Sequence, residues 1–143
     1  MSGWTIPLDK LAEKVQLDLE TVARKSTMDV FTAVALRSPV DTGRFRANWN
    51  VSYGAPDLSV TDSTDSARAV TEARKALTLP VGGVVYMCNS LPYAPVIEYG
   101  LYPNPPKNPT GKTVGGYSRQ APQGVVRVTA VEYNDYVQKA IHS

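Results

Sequence analysis

Ser38-Pro39-Val40-Asp41-Thr42-Gly43-Arg44-Phe45-Arg46-Ala47-Asn48-Trp49 is the stretch where a long helical pattern gives way to a strand pattern. Pro39 biases Ser38 away from the helical region, so the preceding helix must stop there. Asp41 can bond its own backbone two residues on, and Gly43 can take positive φ without steric cost. Pro39, Asp41 and Gly43 together predict a stiff turn. Beyond it, Arg44, Arg46 and Asn48 alternate with Phe45, Ala47 and Trp49. A period of two predicts a strand with polar side chains on one face and apolar ones on the other.

Upstream of the turn, Leu8, Leu11, Val15, Leu19, Val22, Val30 and Ala33 or Val34 recur at spacings of three and four, interrupted at Ser26. That stripe predicts a helix over residues 7–37, about 46 Å long, with Pro7 in its first turn and a weak point at Lys25–Asp29. Downstream, residues 45–53 read as the first strand, ended by Gly54, Pro56 and Asp57. Residues 55–64 read as loop. Ala67, Val70, Ala73 and Leu77 mark a short helix over 66–77, and Val84–Cys88 is a second strand after Gly82-Gly83. Residues 92–99 allow one or two helical turns. Val126, Ala130, Tyr133, Val137 and Ile141 form a second helical stripe.

Residues 100–119 have four prolines, four glycines and no apolar periodicity. Such a stretch reads as a functional loop, or as an arm ordered by a partner. The fold class is therefore α+β: a long N-terminal helix, a small mostly antiparallel sheet, a short middle helix, a C-terminal helix and a long Pro/Gly-rich loop. Two strands alone are marginal. A third is expected near 57–61 or 125–131.

At 143 residues, with 43% hydrophobic and 20% charged content, the chain fits one soluble globular domain. A net charge of +2 does not argue for nucleic acid by bulk electrostatics. No basic segment followed by an apolar region marks a secretory signal, and no apolar run reaches the ~20 residues of a membrane span. Cys88 is the one cysteine and His142 the one histidine. A Cys/His metal site lacks ligands, and Cys88 reads as an inert thiol within an apolar strand. Gly111-Lys112-Thr113 lacks the upstream glycine of a phosphate loop, and Asp62 and Asp65 are too few for a calcium loop. No catalytic, cofactor or metal residue is assigned, and the chain reads as a non-enzyme.

The remaining candidates are contact residues. Arg44, Arg46 and Asn48 fit a solvent face or a subunit contact equally well, whereas Trp49 reads as core. Tyr93 and Tyr99 can pack a rim or anchor an interface. Glu98 is the only acid between Glu72 and Glu132. If buried it needs a cation, with Arg44 or Arg127 as candidates. A second reading gathers Lys107, Lys112, Arg119 and Arg127, with Tyr102 and Tyr117 as stacking residues, into a nucleic-acid-binding strip over 102–127. A small hydrolase is a third reading, without a catalytic set to support it.

Three blocks in order, Ser38–Trp49, Asn89–Gly100 (with Leu91-Pro92-Tyr93-Ala94-Pro95-Val96-Ile97-Glu98-Tyr99-Gly100) and Gln120–Val128, resemble the neck or tail-completion (minor tail component) proteins of long-tailed bacteriophages. The resemblance implies a structural virion protein, with residues 1–143 as a single tail-completion-like domain. Such a protein completes the head-proximal end of the tail and helps join it to the head. It implies a homo-oligomeric ring, a hexamer in preference to a dodecamer, around a channel through which genomic DNA passes without sequence-specific binding. Implied partners are the adjacent head-completion or connector proteins and the tail-terminator or tail-tube proteins, with no membrane. The implied location is the virion, and the host cytoplasm during assembly. Arg44, Arg46, Asn48, Tyr93, Glu98, Tyr99 and Arg127 become subunit-interface candidates on that reading.

Overall fold

The computed structural model describes residues 8–80, 82–107 and 109–142; the expected role of Pro7 lies outside them. Helix α1 spans Leu8–Arg37. It runs unbroken through Lys25–Asp29, where the Ser26 and Thr27 hydroxyls donate back to the carbonyls of Val22 and Ala23 and find their partners within the helix. The chain then turns at Pro39–Gly43. Here the expected strand begins late: Arg44–Ala47 is a single helical turn, α2, and strand β1 is only Trp49–Tyr53.

The reason is local. Gly43 takes φ +90° and its carbonyl accepts from the Ala47 N–H at 2.9 Å. A Cβ at Gly43 would collide with the Thr64 carbonyl oxygen. Phe45 on α2 and Trp49 at the start of β1 are then brought together, and their rings meet edge to face with centroids 5.9 Å apart.

Strand β1 pairs antiparallel with β2, Val85–Asn89, in the register Trp49–Asn89, Val51–Met87 and Tyr53–Val85. No third strand joins this sheet among the described residues. Residues 57–61 lie beside it, but asparagine side chains hold them instead of a backbone ladder. Asn48 donates to the Thr61 carbonyl at 3.0 Å and accepts from the Thr61 N–H at 2.9 Å, while Asn50 donates to the Ser59 carbonyl at 2.8 Å. The other proposed location, 125–131, is helical.

Helix α3, Ala67–Arg74, continues as a short 3-10 turn to Leu77. Helix α4 is Ala94–Tyr99. Strands β3, Thr113–Val114, and β4, Tyr117–Ser118, form a hairpin within the Pro/Gly-rich segment. The expected C-terminal helix is two helices, α5, Val126–Ala130, and α6, Tyr133–Ile141.

Helices α3 and α6 pack on α1. Both are turned about one residue from the expected stripes. In the α3 segment the expected Ala73 is buried, but with Ala69, Glu72 and Ala76; in the C-terminal segment Val125, Thr129 and Ala140 are buried. Leu77, Val126, Tyr133 and Ile141 are exposed instead. The central core is Val34, Ala35, Phe45, Trp49, Ala69, Leu91, Ile97, Ala121 and Val125.

Gly43→Ala places a side chain at a left-handed position against a backbone carbonyl. It is expected to destabilise the fold by on the order of 2–3 kcal/mol, read from urea unfolding; an unchanged midpoint would contradict the turn geometry.

Candidate functional site

The first side chains to place are Arg44, Arg46 and Asn48, because they were expected to share a strand face. They do not. Arg44 pairs with Asp62 at 3.3 Å and reaches the Thr61 carbonyl, so it holds the 57–62 strap. Asn48 is fully buried beneath the same strap and also donates to the Arg44 carbonyl at 2.8 Å. Arg46 turns back and donates to the carbonyls of Leu36 and Ser38, at 2.9 and 2.8 Å. It thereby seals the C-terminal end of α1, where helix carbonyls lack partners. Burial holds the Arg46 guanidinium below its ordinary value.

Ser38 completes this knot. Its hydroxyl donates to the Val34 carbonyl at 2.8 Å and accepts from the Trp49 indole N–H at 2.7 Å. Beside it, Arg37 donates to both carboxylate oxygens of Glu132 and to the Thr129 hydroxyl, tying α1 to the junction of α5 and α6. The Arg37 bond holds the Glu132 carboxyl below its ordinary range.

The second node is Glu98. Its carboxylate accepts the N–H groups of Val125, Val126 and Arg127 at 2.8–2.9 Å, so it caps α5 from another part of the chain. Arg127 returns the interaction. Its guanidinium donates to the Glu98 carbonyl at 2.7 Å, lies 3.5 Å from the carboxylate and stands over the Tyr99 ring at 4.8 Å. Of the two expected cations, the partner is therefore Arg127; Arg44 is engaged with the strap. Gly124, at φ +80°, lets the chain approach this closely, because a Cβ there would fall 2.6 Å from the Glu98 carbonyl oxygen. Burial pushes the Glu98 carboxyl up, but the three N–H donors and Arg127 outweigh it and hold it below its ordinary value.

Between the turn and the β3–β4 hairpin lies a cleft of about 650 Å³, lined by Phe45, Tyr93, Ile97, Tyr102, Lys112 and Arg119 among others. Residues 110–119 fold back over the turn. Lys112 pairs with Asp41 at 3.1 Å, and Gln120 donates to and accepts from the backbone of Val40. Tyr93 tilts against Phe45, and burial raises the Tyr93 and Tyr102 hydroxyls. Tyr117 sits against Gly100 and its hydroxyl meets Arg127. The proposed basic and aromatic strip is thus divided: Lys112 and Arg127 are ion-paired, whereas Lys107 and Arg119 are exposed.

Arg68 was not singled out from the sequence. It donates to the carbonyls of Ala47 and Trp49 at 2.6 and 3.1 Å and to Asn50, blocking the outer edge of β1, and pairs with buried Glu72. The spacing Arg68–Glu72 on a helix was the available signal. Gln120 carried none. Burial pushes the Cys88 thiol up, with the Asp57 charge acting in the same direction. Among the described residues no group of three His, Cys, Asp or Glu side chains could hold a metal ion, and no helix is long and apolar enough to cross a membrane.

No protein-family model, curated protein or solved structure matches this chain.

The Glu98 cap has a definite pH signature. Since the folded carboxyl titrates below its ordinary value, its stabilisation is complete above that value and is lost as pH falls through the folded one. Glu98→Ala should cost about 3 kcal/mol at neutral pH. The stability gap between the native chain and Glu98→Gln should close in acid, as urea titrations across pH would read; a gap independent of pH would rule out the charged cap.

Proposed function

We propose that this chain is a structural protein of the neck of a long-tailed bacteriophage. In this reading it forms a ring at the head-proximal end of the tail and helps join tail to head around the DNA channel. The observation that carries the reading is the convergence of the three blocks behind the resemblance. They are far apart in sequence yet form one unit. Trp49 pairs with Asn89, whose amide donates to the Phe45 carbonyl at 2.8 Å. Val40 exchanges two bonds with Gln120, and Glu98 caps Val125–Arg127. Phe45, Trp49, Leu91, Ile97, Ala121 and Val125, all from these blocks, share the central core.

The surface supports assembly as well. Val126, Val131, Tyr133 and Ile141 expose apolar area on the C-terminal helices, and Leu58, Val60, Leu77 and Val84 do so elsewhere. Separate apolar areas suit the heterologous contacts of a ring, in which the front of one subunit meets the back of the next. Arg44, Arg46 and Asn48 serve this reading as the internal frame of the subunit. Tyr99, 56% exposed, and Arg127 remain contact candidates.

Inactivating the gene in its phage is expected to leave filled heads and finished tails unjoined. Mass measurement should find the chain in particles at a fixed ratio, six copies per tail on the hexamer reading. Normal joined particles lacking the chain would overturn the proposal.

A further inference from the structure

The cleft between the turn and the β3–β4 hairpin, at about 650 Å³, has the volume of a small-molecule site, which is roughly 300–1,000 Å³. Two cavities beside Trp49, of about 200 and 140 Å³, fall below that range. The walls of the cleft come from three parts of the chain that are already tied together. Val40 and Gln120 exchange two hydrogen bonds, Lys112 pairs with Asp41, and the Tyr93 ring lies against Phe45. A ligand would therefore meet a formed site, without the cost of ordering a loop as it binds.

The lining selects for a ring. Phe45 and Ile97 are buried, and the half-buried Tyr93 and Tyr102 add two aromatic walls. Such walls favour a flat ring that stacks on them or meets them edge-on. When tyrosine is buried its hydroxyl usually finds a partner. Here neither the Tyr93 nor the Tyr102 hydroxyl makes a hydrogen bond among the described residues. Burial raises both groups, so each stays a protonated donor near neutral pH. Two unused donors beside aromatic walls call for a ligand with acceptor atoms.

Charge selects for an anion. Lys112 and Arg119 line the cleft, and Asp41 is the only acid that does so. The Arg119 guanidinium has no partner among the described residues. Lys112 and Asp41 are each about two-thirds exposed, so their pair is weak and Lys112 can turn to an incoming anion. Arg44, whose charge reaches Tyr93, is already paired with Asp62. One positive charge is left in excess, which matches a monoanion.

We propose that this cleft binds a small aromatic monocarboxylate, with its ring against Phe45, Tyr93 and Tyr102 and its carboxylate toward Arg119 and Lys112. The site belongs to the single chain and does not depend on the ring reading.

The test titrates the full-length chain with naphthoate, with uncharged naphthamide and with acetate, followed by amide NMR spectra. Naphthoate should shift the signals of Gly111, Lys112, Arg119 and Gln120 to saturation, while naphthamide and acetate bind about tenfold more weakly or worse. Arg119→Gln and Tyr102→Phe should each weaken naphthoate by about fivefold. Arg119 is exposed, so its variant should keep the urea midpoint of the native chain and report on binding alone. The absence of saturable naphthoate binding would overturn the proposal, as would naphthamide binding equally well. Naphthoate binding that is unchanged in both variants, or that shifts Met87 and Ala130 in place of the cleft, would overturn it too.

Discussion

The C-terminal end of α1 is the constraint on which the other elements depend. The end of a helix leaves carbonyls without partners in the ladder, and those that are buried must find a donor. Here the donors come from the next dozen residues. The Ser38 hydroxyl takes the Val34 carbonyl, Arg46 takes those of Leu36 and Ser38, and the Trp49 indole closes onto Ser38. Meeting these needs fixes where α2 and β1 begin. It also places Phe45 and Trp49 in the core, against Ile97 and Val125 from the two later blocks. Glu98 extends the same logic to α5, whose first N–H groups it accepts, while Arg37 reaches the α5–α6 junction through the side chains of Thr129 and Glu132.

A two-stranded sheet has too few backbone bonds to stand alone. This one is supported by side chains acting in place of strands. Asn48 and Asn50 hold the 57–61 strap, Gln120 pairs with the backbone of Val40, and Arg68 blocks the far edge of β1. Asn48, Asn50 and Arg68 are buried or half-buried with their bonds made, the condition under which burial of such groups is tolerated, while Gln120 makes its two bonds at the surface. No such side-chain bond to the far edge of β2 is made among the described residues. Beyond β1, no further strand pairs with β2 among the described residues.

Much of the element order was legible in the sequence, because long periodic segments and Pro/Gly punctuation act locally. The extent of α1, the turn at Pro39–Gly43, the middle helix and the strand before Leu91 were all readable. The faces were less so. In α3 and in α5–α6 the large apolar residues suggested stripes about one residue away from those that are buried. Close packing on α1 admits Ala69, Ala76, Thr129 and Ala140 beside the expected Ala73, and leaves Leu77, Val126 and Ile141 outside. Size and hydrophobicity therefore marked the wrong face. At the candidate site, the isolation of Glu98 among acids pointed correctly to a cationic partner and named Arg127 as one of two. The three N–H bonds to α5, which lower the Glu98 carboxyl ahead of the Arg127 charge, had no sequence signal.

Local chemistry thus determined where the chain is helical, where it turns and which residues carry unusual needs: Gly43, Glu98 and the polar residues around Trp49. Tertiary structure alone decided how those needs were met. Arg44, Arg46 and Asn48 alternate in sequence as a strand face would, but α2 is one helical turn, and its close contact with the end of α1 and the strap turned all three toward their own chain. The physical reason is that backbone geometry is set by near neighbours, whereas a buried hydrogen bond or ion pair is completed by whichever distant segment the core brings within reach.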